Sequence, residues 1–490
     1  MPELSKPISI IFNYITNSAK FPEGWKQEFQ VPIGKIPSPQ TEEHLRNLSK
    51  TKFLSKLYEG FICDWLLPIV DPYLDPGQYG GIKECSINHY LIQLLHYIHK
   101  EVDKKDPHCV ILMLLDLSKA YNRGSPKHVL EDLHDMHTPG WLLAIIASFL
   151  SNRTMQLRYN DAWSDIFQMP GSFSQGCYLM MILFIIQFNG AGLRPNVERP
   201  LKPRNDSKRM SVKFIDDYSS ATSYNLLQTI EKEDRALPMP LTYQQRTGYR
   251  LKEDEKITQR EADDFLSFTN QNQFVINNKK SEVMVFNFST KYSFPPDISI
   301  GNTDILQEVT HTKLLGIILE SNLKWSKNTE YIYSKAASKI GMLRRLKRFN
   351  LDEITLRDFY EKELRSLLEY AVPVWSHALT LQQSNFLDKI QKYSFSIILN
   401  NWTWSYYVKC TLLNCEPLFM RRKQISLSFS LRTEKSKKHE FFAKSKSQYN
   451  TRSKDRYFKE YDSRSDRFYK SPLVSLTRDL NIHIKNKTRG

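Results

Sequence analysis

The chain has no long apolar run, since no stretch of its 490 residues approaches the 18 apolar residues that a transmembrane helix needs. The N-terminus also lacks the charged-then-apolar pattern of a secretory signal peptide. We therefore expect an intracellular protein with no signal peptide and no membrane partner.

Cysteine is scarce, and its six residues are scattered, mostly in apolar contexts. They are Cys63, Cys85, Cys109, Cys177, Cys410 and Cys415. This pattern favours buried thiols in a reducing compartment over a disulfide framework. Cys410 and Cys415 have the spacing that begins a zinc knuckle, but no histidine follows at a useful distance, so we expect no zinc site.

Acidic residues are outnumbered by basic ones, which gives a net charge of +16 and favours a polyanionic partner. Residues 431–490 alone hold 17 Lys and Arg against 7 Asp and Glu. Because this tail is also low in apolar residues, we expect it to be disordered. It would hold nucleic acid nonspecifically or serve as a nuclear-entry signal.

Two adjacent acids, Asp216 and Asp217, follow a stretch that alternates Val212 and Phe214 with polar residues. Alternation of period two predicts a half-buried strand, and an Asp-Asp step indicates a tight turn at its tip. Two carboxylates held at one sheet end repel each other unless a cation lies between them. Taken alone, the pair is also typical of an ordinary solvated turn.

A third acid, Asp116, ends the apolar run 110–115. A short apolar run without alternation predicts a strand buried on both faces. An acid at its end is costly unless something neutralises it, although a plain strand end before a helix cap has the same appearance.

Two strands that end in carboxylates can converge on one point. Mg²⁺ prefers hard oxygen ligands and is bound by one or two carboxylates plus substrate phosphates. Two such ions, or Mn²⁺ in their place, can activate a 3′ hydroxyl and steady the leaving pyrophosphate. Asp116, Asp216 and Asp217 are therefore the predicted catalytic and metal-binding residues of a nucleotidyl transferase.

Three ordered motifs resemble those of reverse transcriptases. Residues 116–121 (DLSKAY) are similar to the D-x-S-x-A-[FY] motif, and residues 214–217 (FIDD) to the [FY]-x-D-D motif. Between them, residues 171–177 (GSFSQGC) resemble the G-x-P-Q-G-[ST] motif. The pattern is most similar to the polymerase part of jockey-like non-LTR retrotransposons and spans roughly residues 7–430.

The resemblance implies an α+β right-hand polymerase with fingers, an antiparallel-sheet palm and a helical thumb. The implied boundaries are an N-terminal extension and fingers at 1–110, a palm at 111–320, a helical thumb or connection at 321–430 and a tail at 431–490. It implies RNA-directed DNA synthesis, with an RNA template, a DNA primer and deoxynucleoside triphosphates as partners, acting in the nucleus. In this family an endonuclease precedes the polymerase, and we expect that domain to be absent from this chain.

Motif positions also imply roles around the incoming nucleotide. Arg46 and Lys280 would attend the phosphates, Tyr121 would crowd a 2′ hydroxyl, and Gln175 with Gly176 would position template and nucleotide. Lys35, Gln78 and Gly316 would contact template or primer. On residue type alone, Lys35 and Lys280 also suit solvated positions, Tyr121 the core, and Gln78 a plain Pro-Gly turn.

The chain departs from the family pattern at three places. Asn47 and Ser174 replace prolines, and Cys177 replaces Ser or Thr. These changes favour an alternative in which the chain is a catalytically decayed or repurposed copy that keeps the fold and binds RNA or DNA. A two-metal nuclease is the third class of function that the acids allow.

Overall fold

The computed structural model describes residues 2–169, 171–191, 208–232, 249–252, 256–289, 297–301, 304–436, 441–445 and 457–489. Its strands are β1 (Gln27–Gly34), β2 (Leu45–Lys50), β3 (His108–Leu115), β4 (Thr154–Tyr159), β5 (Ala162–Gln168), β6 (Arg209–Phe214), β7 (Asp217–Asn225), β8 (Ile230–Lys232), β9 (Tyr249–Leu251), β10 (Glu282–Asn287), β11 (Ser299–Ile300), β12 (Asp304–Ile305), β13 (Gln307–Glu308), β14 (His311–Leu314) and β15 (Ile317–Glu320).

The α-helices are α1 (Ser5–Ser18), α2 (Glu23–Lys26), α3 (Phe53–Val70), α4 (Ile87–Val102), α5 (Pro126–Asp135), α6 (Gly140–Leu150), α7 (Tyr178–Gln187), α8 (Ile257–Gln271), α9 (Ser326–Arg348), α10 (Glu353–Phe359), α11 (Ser366–Glu369), α12 (Val372–Trp375), α13 (Leu381–Ile398), α14 (Tyr406–Leu412), α15 (Leu418–Lys435), α16 (Asp466–Tyr469) and α17 (Pro472–Arg489). None of the helices in the described ranges is long and apolar enough to cross a membrane.

The central element is a sheet with the strand order β13-β10-β3-β7-β6, which we call the palm sheet. Its pairs β10–β3, β3–β7 and β7–β6 are all antiparallel. The predicted double-sided burial of β3 is confirmed, because seven of its eight residues are buried. Successive side chains of a strand point to opposite faces, so β3 contributes to two cores. Cys109, Ile111 and Met113 belong to one core, and Val110 and Leu112 to the other.

A second sheet, the fingers sheet, has the order β2-β1-β4-β5. β1 pairs with β2 in antiparallel and with β4 in parallel orientation. The pattern of residues 156–159 predicted β4, whereas the partner strand β5 was not predicted. Most β5 side chains are exposed, so the strand lacks the one-sided apolar alternation that sequence patterns detect.

The C-terminal third is helical, from α9 to α17, and its apolar side chains join the core on the α4 side of the palm sheet. Together with the antiparallel-rich palm sheet, these helices confirm the predicted α+β class. The apolar residues at helical spacing and the many Lys and Arg of residues 325–350 predict a basic helix, and this helix is α9.

The expectation of a disordered tail is wrong for residues 457–489. α17 buries Leu473, Leu476 and Leu480, which lie three and four residues apart and therefore on one helix face. This face packs against α4, α12 and α15. A sparse apolar stripe at helical spacing thus orders a segment whose overall composition is that of a disordered one.

The segments 191–211 and 233–258 contain several prolines and many charged residues, a composition that predicts surface insertions. Residues 192–207, 233–248 and 253–255 of these lie outside the described residues. The described remainder shows that β6 already begins at Arg209 and that α8 begins at Ile257.

Candidate active site

Strands β6 and β7 form a tight hairpin whose two-residue turn is Ile215-Asp216, because Phe214 pairs directly with Asp217. Ile215 has a φ of 61°, which a β-branched residue rarely adopts. Such strain persists only where the surroundings hold the backbone in place. The predicted Asp-Asp turn is therefore present, with Asp216 at its tip and Asp217 as the first residue of β7.

The third acid lies beside this turn. Leu115, the last residue of β3, pairs with Tyr218, so Asp116 follows at the same sheet edge as Asp217. Burial raises the pKa values of all three carboxyls, and that of Asp217 rises to about 7. The charges of Asp216 and Asp116 add to the shift at Asp217, which places the three carboxylates within electrostatic reach of one another.

The loop that precedes α4 packs against the Ile215-Asp216 turn and supports it. The buried Gln78 accepts hydrogen bonds at Oε1 from the backbone N–H of Ile215, at 3.1 Å, and of Gly80, at 3.0 Å. A Cβ on Gly80 would lie 2.4 Å from the Ile215 nitrogen, so only glycine fits there. The template contact expected of Gln78 stays a prediction, and the structure gives its side chain a different, structural role. Its side chain is 2% exposed and is used to hold the strained turn.

A buried lysine supports the same hairpin. Lys213 is fully buried and its Nζ forms an ion pair with Asp75 at 2.8 Å. The same Nζ donates to the backbone carbonyls of Asn189, at 2.8 Å, and Ala191, at 2.9 Å. Asn189 in turn accepts from the Asp75 backbone N–H at 2.7 Å. This network ties β6 to the loop that supports the turn.

Cations approach the acids from the hairpin of β1 and β2. Ile33 pairs with Arg46, so Lys35, two residues on, lies near the same end of the fingers sheet. Both side chains are exposed. Lys35 acts electrostatically on Asp116 and Arg46 on Asp216, and each opposes the rise in the pKa of its partner. Both predicted positions therefore face the three carboxylates of Asp116, Asp216 and Asp217, which we call the acid cluster.

Lys280 approaches Asp116 from the palm side. Its Nζ lies 3.9 Å from Asp116 Oδ2, and the lysine side chain is 68% exposed. Asn277 hydrogen-bonds the Asp116 carboxyl with its side chain and donates from its backbone N–H to the Asp116 carbonyl at 2.8 Å. Asn277 lies three residues before Lys280, and sequence reasoning assigned a role only to the lysine.

Tyr121 lies on a short 3₁₀ helix after β3, and its ring stacks on Phe184 of α7 at 4.7 Å between centroids. Burial raises the pKa of Tyr121, and the nearby Asp216 charge adds to the shift. The ring is thus both packed on the core and close to the acid cluster.

The loop of residues 171–177 is fastened to β2. The Gln175 carbonyl accepts from the Ser49 N–H at 2.8 Å. Gly176 has a φ of 114°, and a Cβ there would lie 2.7 Å from the Ser49 carbonyl oxygen, so glycine is required.

Two departures from the family motif are hydrogen-bonded to buried glutamates. Ser174 donates to Glu28, which also forms a 3.2 Å ion pair with the buried Arg153. Cys177 donates to Glu59 at 2.6 Å. Sequence reasoning missed both glutamates, since Glu28 and Ser174 lie 146 residues apart. Glu59 could have been found, because an acidic residue within the apolar-rich helix α3 indicates a buried carboxylate with a hydrogen-bonding partner.

Gly316, which was predicted to contact template or primer, lies beside a tyrosine of the helical region. Gly316, with a φ of 88°, lies against the Tyr370 ring, since a Cβ there would be 2.8 Å from Tyr370 Oη. Tyr370 Oη donates to the Leu315 carbonyl at 2.8 Å. The close approach that Gly316 allows in the structure is thus to a tyrosine of the helical region.

No group of three or more His, Cys, Asp or Glu side chains in the described ranges is arranged to hold a metal ion. The acid cluster nevertheless offers hard oxygen donors that repel each other. Mg²⁺ does not require a complete protein cage, because waters and substrate phosphates fill its coordination sphere. The donor set therefore fits a magnesium site completed by substrate.

No protein-family model matches the chain, and no curated protein is significantly similar to it. Among solved structures, apo telomerase from Candida tropicalis is 11% identical over 87% of this chain and 67% of its own, with a TM-score of 0.40. The same telomerase with a TWJ fragment of telomeric RNA is 10% identical over 88% and 66%, with a TM-score of 0.40.

A telomerase from C. tropicalis that lacks its C-terminal domain is 11% identical, with a TM-score of 0.38. The alignment covers 65% of this chain and 59% of that telomerase. The chain is thus similar to part of these telomerase structures, at a level that does not establish membership of a family.

Proposed function

We propose that the chain is an RNA-directed DNA polymerase of a non-LTR retroelement, which transfers nucleotides from deoxynucleoside triphosphates to a primer 3′ hydroxyl. One observation carries the proposal. Asp116, Asp216 and Asp217 meet at one edge of the palm sheet, and cationic side chains face them from the fingers sheet. This arrangement suits a polyanionic substrate delivered with divalent cations.

Asp116 and Asp216 would hold the cations, and Asp217 would add negative charge beside them. Mg²⁺ or Mn²⁺, when bound, supplies activation of the 3′ hydroxyl and stabilisation of the leaving pyrophosphate. Arg46, Lys35 and Lys280 would bind and orient the triphosphate, for which the guanidinium fork of Arg46 is well suited.

Tyr121 and the loop of residues 171–177 would select and position the nucleotide. The Tyr121 ring is held by its stack on Phe184, so it could exclude a 2′ hydroxyl without moving. Gln175 and Gly176 would place the template base, because their backbone is fastened to Ser49.

Primer extension on an RNA template tests the proposal. Asp116→Asn and Asp216→Asn should each lower extension by about 10²-fold or more, since each removes a charge that holds a catalytic cation. Asp106→Asn is the matched control, because this exposed acid precedes β3 whereas Asp116 follows it. The control should extend like the wild type.

The other outcomes separate the rival functions. A wild-type chain that binds RNA tightly but extends no primer with Mg²⁺ or Mn²⁺ would be a repurposed binding protein. Cleavage of nucleic acid without added nucleotides, abolished by Asp216→Asn, would make the same site a nuclease.

A further inference from the structure

A cavity lies in the helical region, between α9 and α13 and beneath the loop that follows α13. Its volume is about 430 Å³, and its lining includes Tyr333, Lys389, Lys392, Tyr393, Ser396 and Trp402. Ligand pockets in proteins span roughly 300–1,000 Å³, so the cavity is large enough for one nucleotide.

The walls of the cavity are aromatic. Trp402 is 58% exposed and makes an edge contact with Tyr393 at 5.0 Å between ring centroids. On α9, Tyr333 is held by a stack on Phe386 at 3.9 Å. An exposed tryptophan beside rings in fixed positions presents an apolar face to solvent that a flat ligand could cover.

The rim of the cavity is cationic. Lys389 and Lys392 are exposed and lie three residues apart on α13, so they project from neighbouring positions of one face. Lys392 lies 5.0 Å from the Tyr406 ring centroid and Lys389 lies 6.0 Å from that of Phe386. No Asp or Glu is among the described residues that line the cavity.

A further positive charge lies behind the floor. Lys409 is 5% exposed, and its Nζ donates to Ser396 Oγ, which lines the cavity, at 2.7 Å. The nearest acid on α13, Asp388, is bonded to Arg422 at 3.2 Å. The described residues that line the cavity thus carry positive and no negative charge, which favours an anionic ligand.

We propose that this cavity binds an unpaired nucleotide of a single-stranded polynucleotide, with the base against Trp402 and the phosphates between Lys389 and Lys392. Aromatic platforms beside a basic rim are the elements with which proteins hold single strands without regard to sequence. The proposal lies beyond the polymerase function and does not depend on it, since binding here requires none of the palm acids.

The test measures binding of fluorescently labelled oligo(U) and oligo(dT) octamers to the full chain by anisotropy. Trp402→Ala should weaken binding about fivefold or more through loss of one stacked base. Trp404→Ala is the matched control, since Trp404 is 47% exposed on the same loop but does not line the cavity. It should bind like the wild type.

The rim is tested by salt dependence. Lys389→Gln with Lys392→Gln should lower the slope of log K against log salt by about 1.4, which is the value for two phosphate contacts on a single strand. Lys127→Gln with Lys470→Gln removes the same charge from lysines that lie near carboxylates, Glu131 at 3.9 Å and Asp466 at 2.7 Å. This control should leave the slope unchanged.

A 5-iodouridine octamer locates the site directly, and its main photo-crosslink should map to residues 389–402. Equal affinities of the Trp402→Ala and Trp404→Ala variants, or a crosslink confined to other segments, would overturn the proposal. Weakened binding of only one of the two octamers would retain the site and identify the strand as RNA or DNA. All these readouts are independent of primer extension, so either proposal can fail alone.

Discussion

The buried charge that supports the β6–β7 turn and the acids beside the tip of this turn have opposite surroundings. Lys213 is fully buried and has an ion-pair partner at 2.8 Å and two carbonyl acceptors within 2.9 Å. Asp116 has its nearest described cation, Lys280, at 3.9 Å. The buried charge is compensated by the fold, whereas the acids at the tip are left short of compensation, which is the condition for a site that recruits cations.

Breaking the buried pair should have the largest effect on stability. Lys213→Met leaves the Asp75 carboxylate without its ammonium partner and should lower the free energy of unfolding by about 3–5 kcal/mol, measured by urea denaturation. Asp216→Asn should leave that free energy unchanged or raise it, because burial and Asp116 both disfavour its charge.

The double variant Lys213→Met/Asp75→Asn is the control for this comparison. It should recover part of the loss, since no buried charge then remains unpaired. If Lys213→Met were no more destabilising than Asp216→Asn, the distinction between compensated and uncompensated charges would be false.

The same contrast explains what sequence reasoning found at the site. The acids follow strands with clear apolar patterns, so local periodicity was enough to place Asp116 and Asp216 at strand ends. The roles of Lys213 and Gln78 depend on partners far along the chain, such as the 137 residues between Gln78 and Ile215. Contacts between residues so far apart produce no local sequence pattern. From the sequence alone, Lys213 and Gln78 are therefore typical of ordinary strand and turn positions.

The fold was predictable to a similar degree. Apolar residues at helical spacing predict helices at residues 87–102 and 325–350, close to the observed bounds of α4 and α9. The exposed strand β5 was missed because it has no apolar face. α17 was missed because the high net charge of the tail was taken to predict disorder, despite three leucines at helical spacing. Tertiary packing depends on this apolar stripe and not on the mean composition.

Two buried histidines differ from both the paired Lys213 and the uncompensated acids, because burial keeps their rings neutral. Burial lowers the pKa values of His96 and His99 on α4 to about 3. His96 packs on Tyr461 and Phe468 of the C-terminal segment. Since the folded-state pKa values lie below the unfolded value near 6.5, stability is lost as pH falls through that value.

From pH 7.5 to 5.5 each neutral histidine should cost about 1.4 kcal/mol, or about 2.7 kcal/mol for the pair. His96→Leu/His99→Leu should lose correspondingly less stability over this range in urea denaturation at each pH. His134→Leu is the control, because its ring is 81% exposed. Equal pH dependence in the wild type and the double variant would contradict the placement of these rings.

The smallest expected change in unfolding free energy is in the fingers sheet. There the buried carboxylate of Glu28 has several partners, so the loss of one leaves its charge compensated. Glu28 accepts from Arg153, from Ser49 at 2.9 Å and from Ser174. Ser174→Ala removes one hydrogen bond to a charged acceptor and should cost about 1.5 kcal/mol of unfolding free energy. Arg153 remains, so the carboxylate stays paired and the loss should stay well below that of Lys213→Met.

Ser172→Ala, in the same loop, is the matched control and should be neutral, as is usual for substitutions away from buried networks. If Ser174→Ala proved neutral as well, the serine would not offset the absence of the proline found in the motif that this loop resembles, and its hydroxyl would be incidental. A measurable loss would mean that this loop is held by a hydrogen bond to Glu28 where the motif that it resembles has a proline ring. The departure at Ser174 would then be a substitution of one restraint for another rather than a sign of decay.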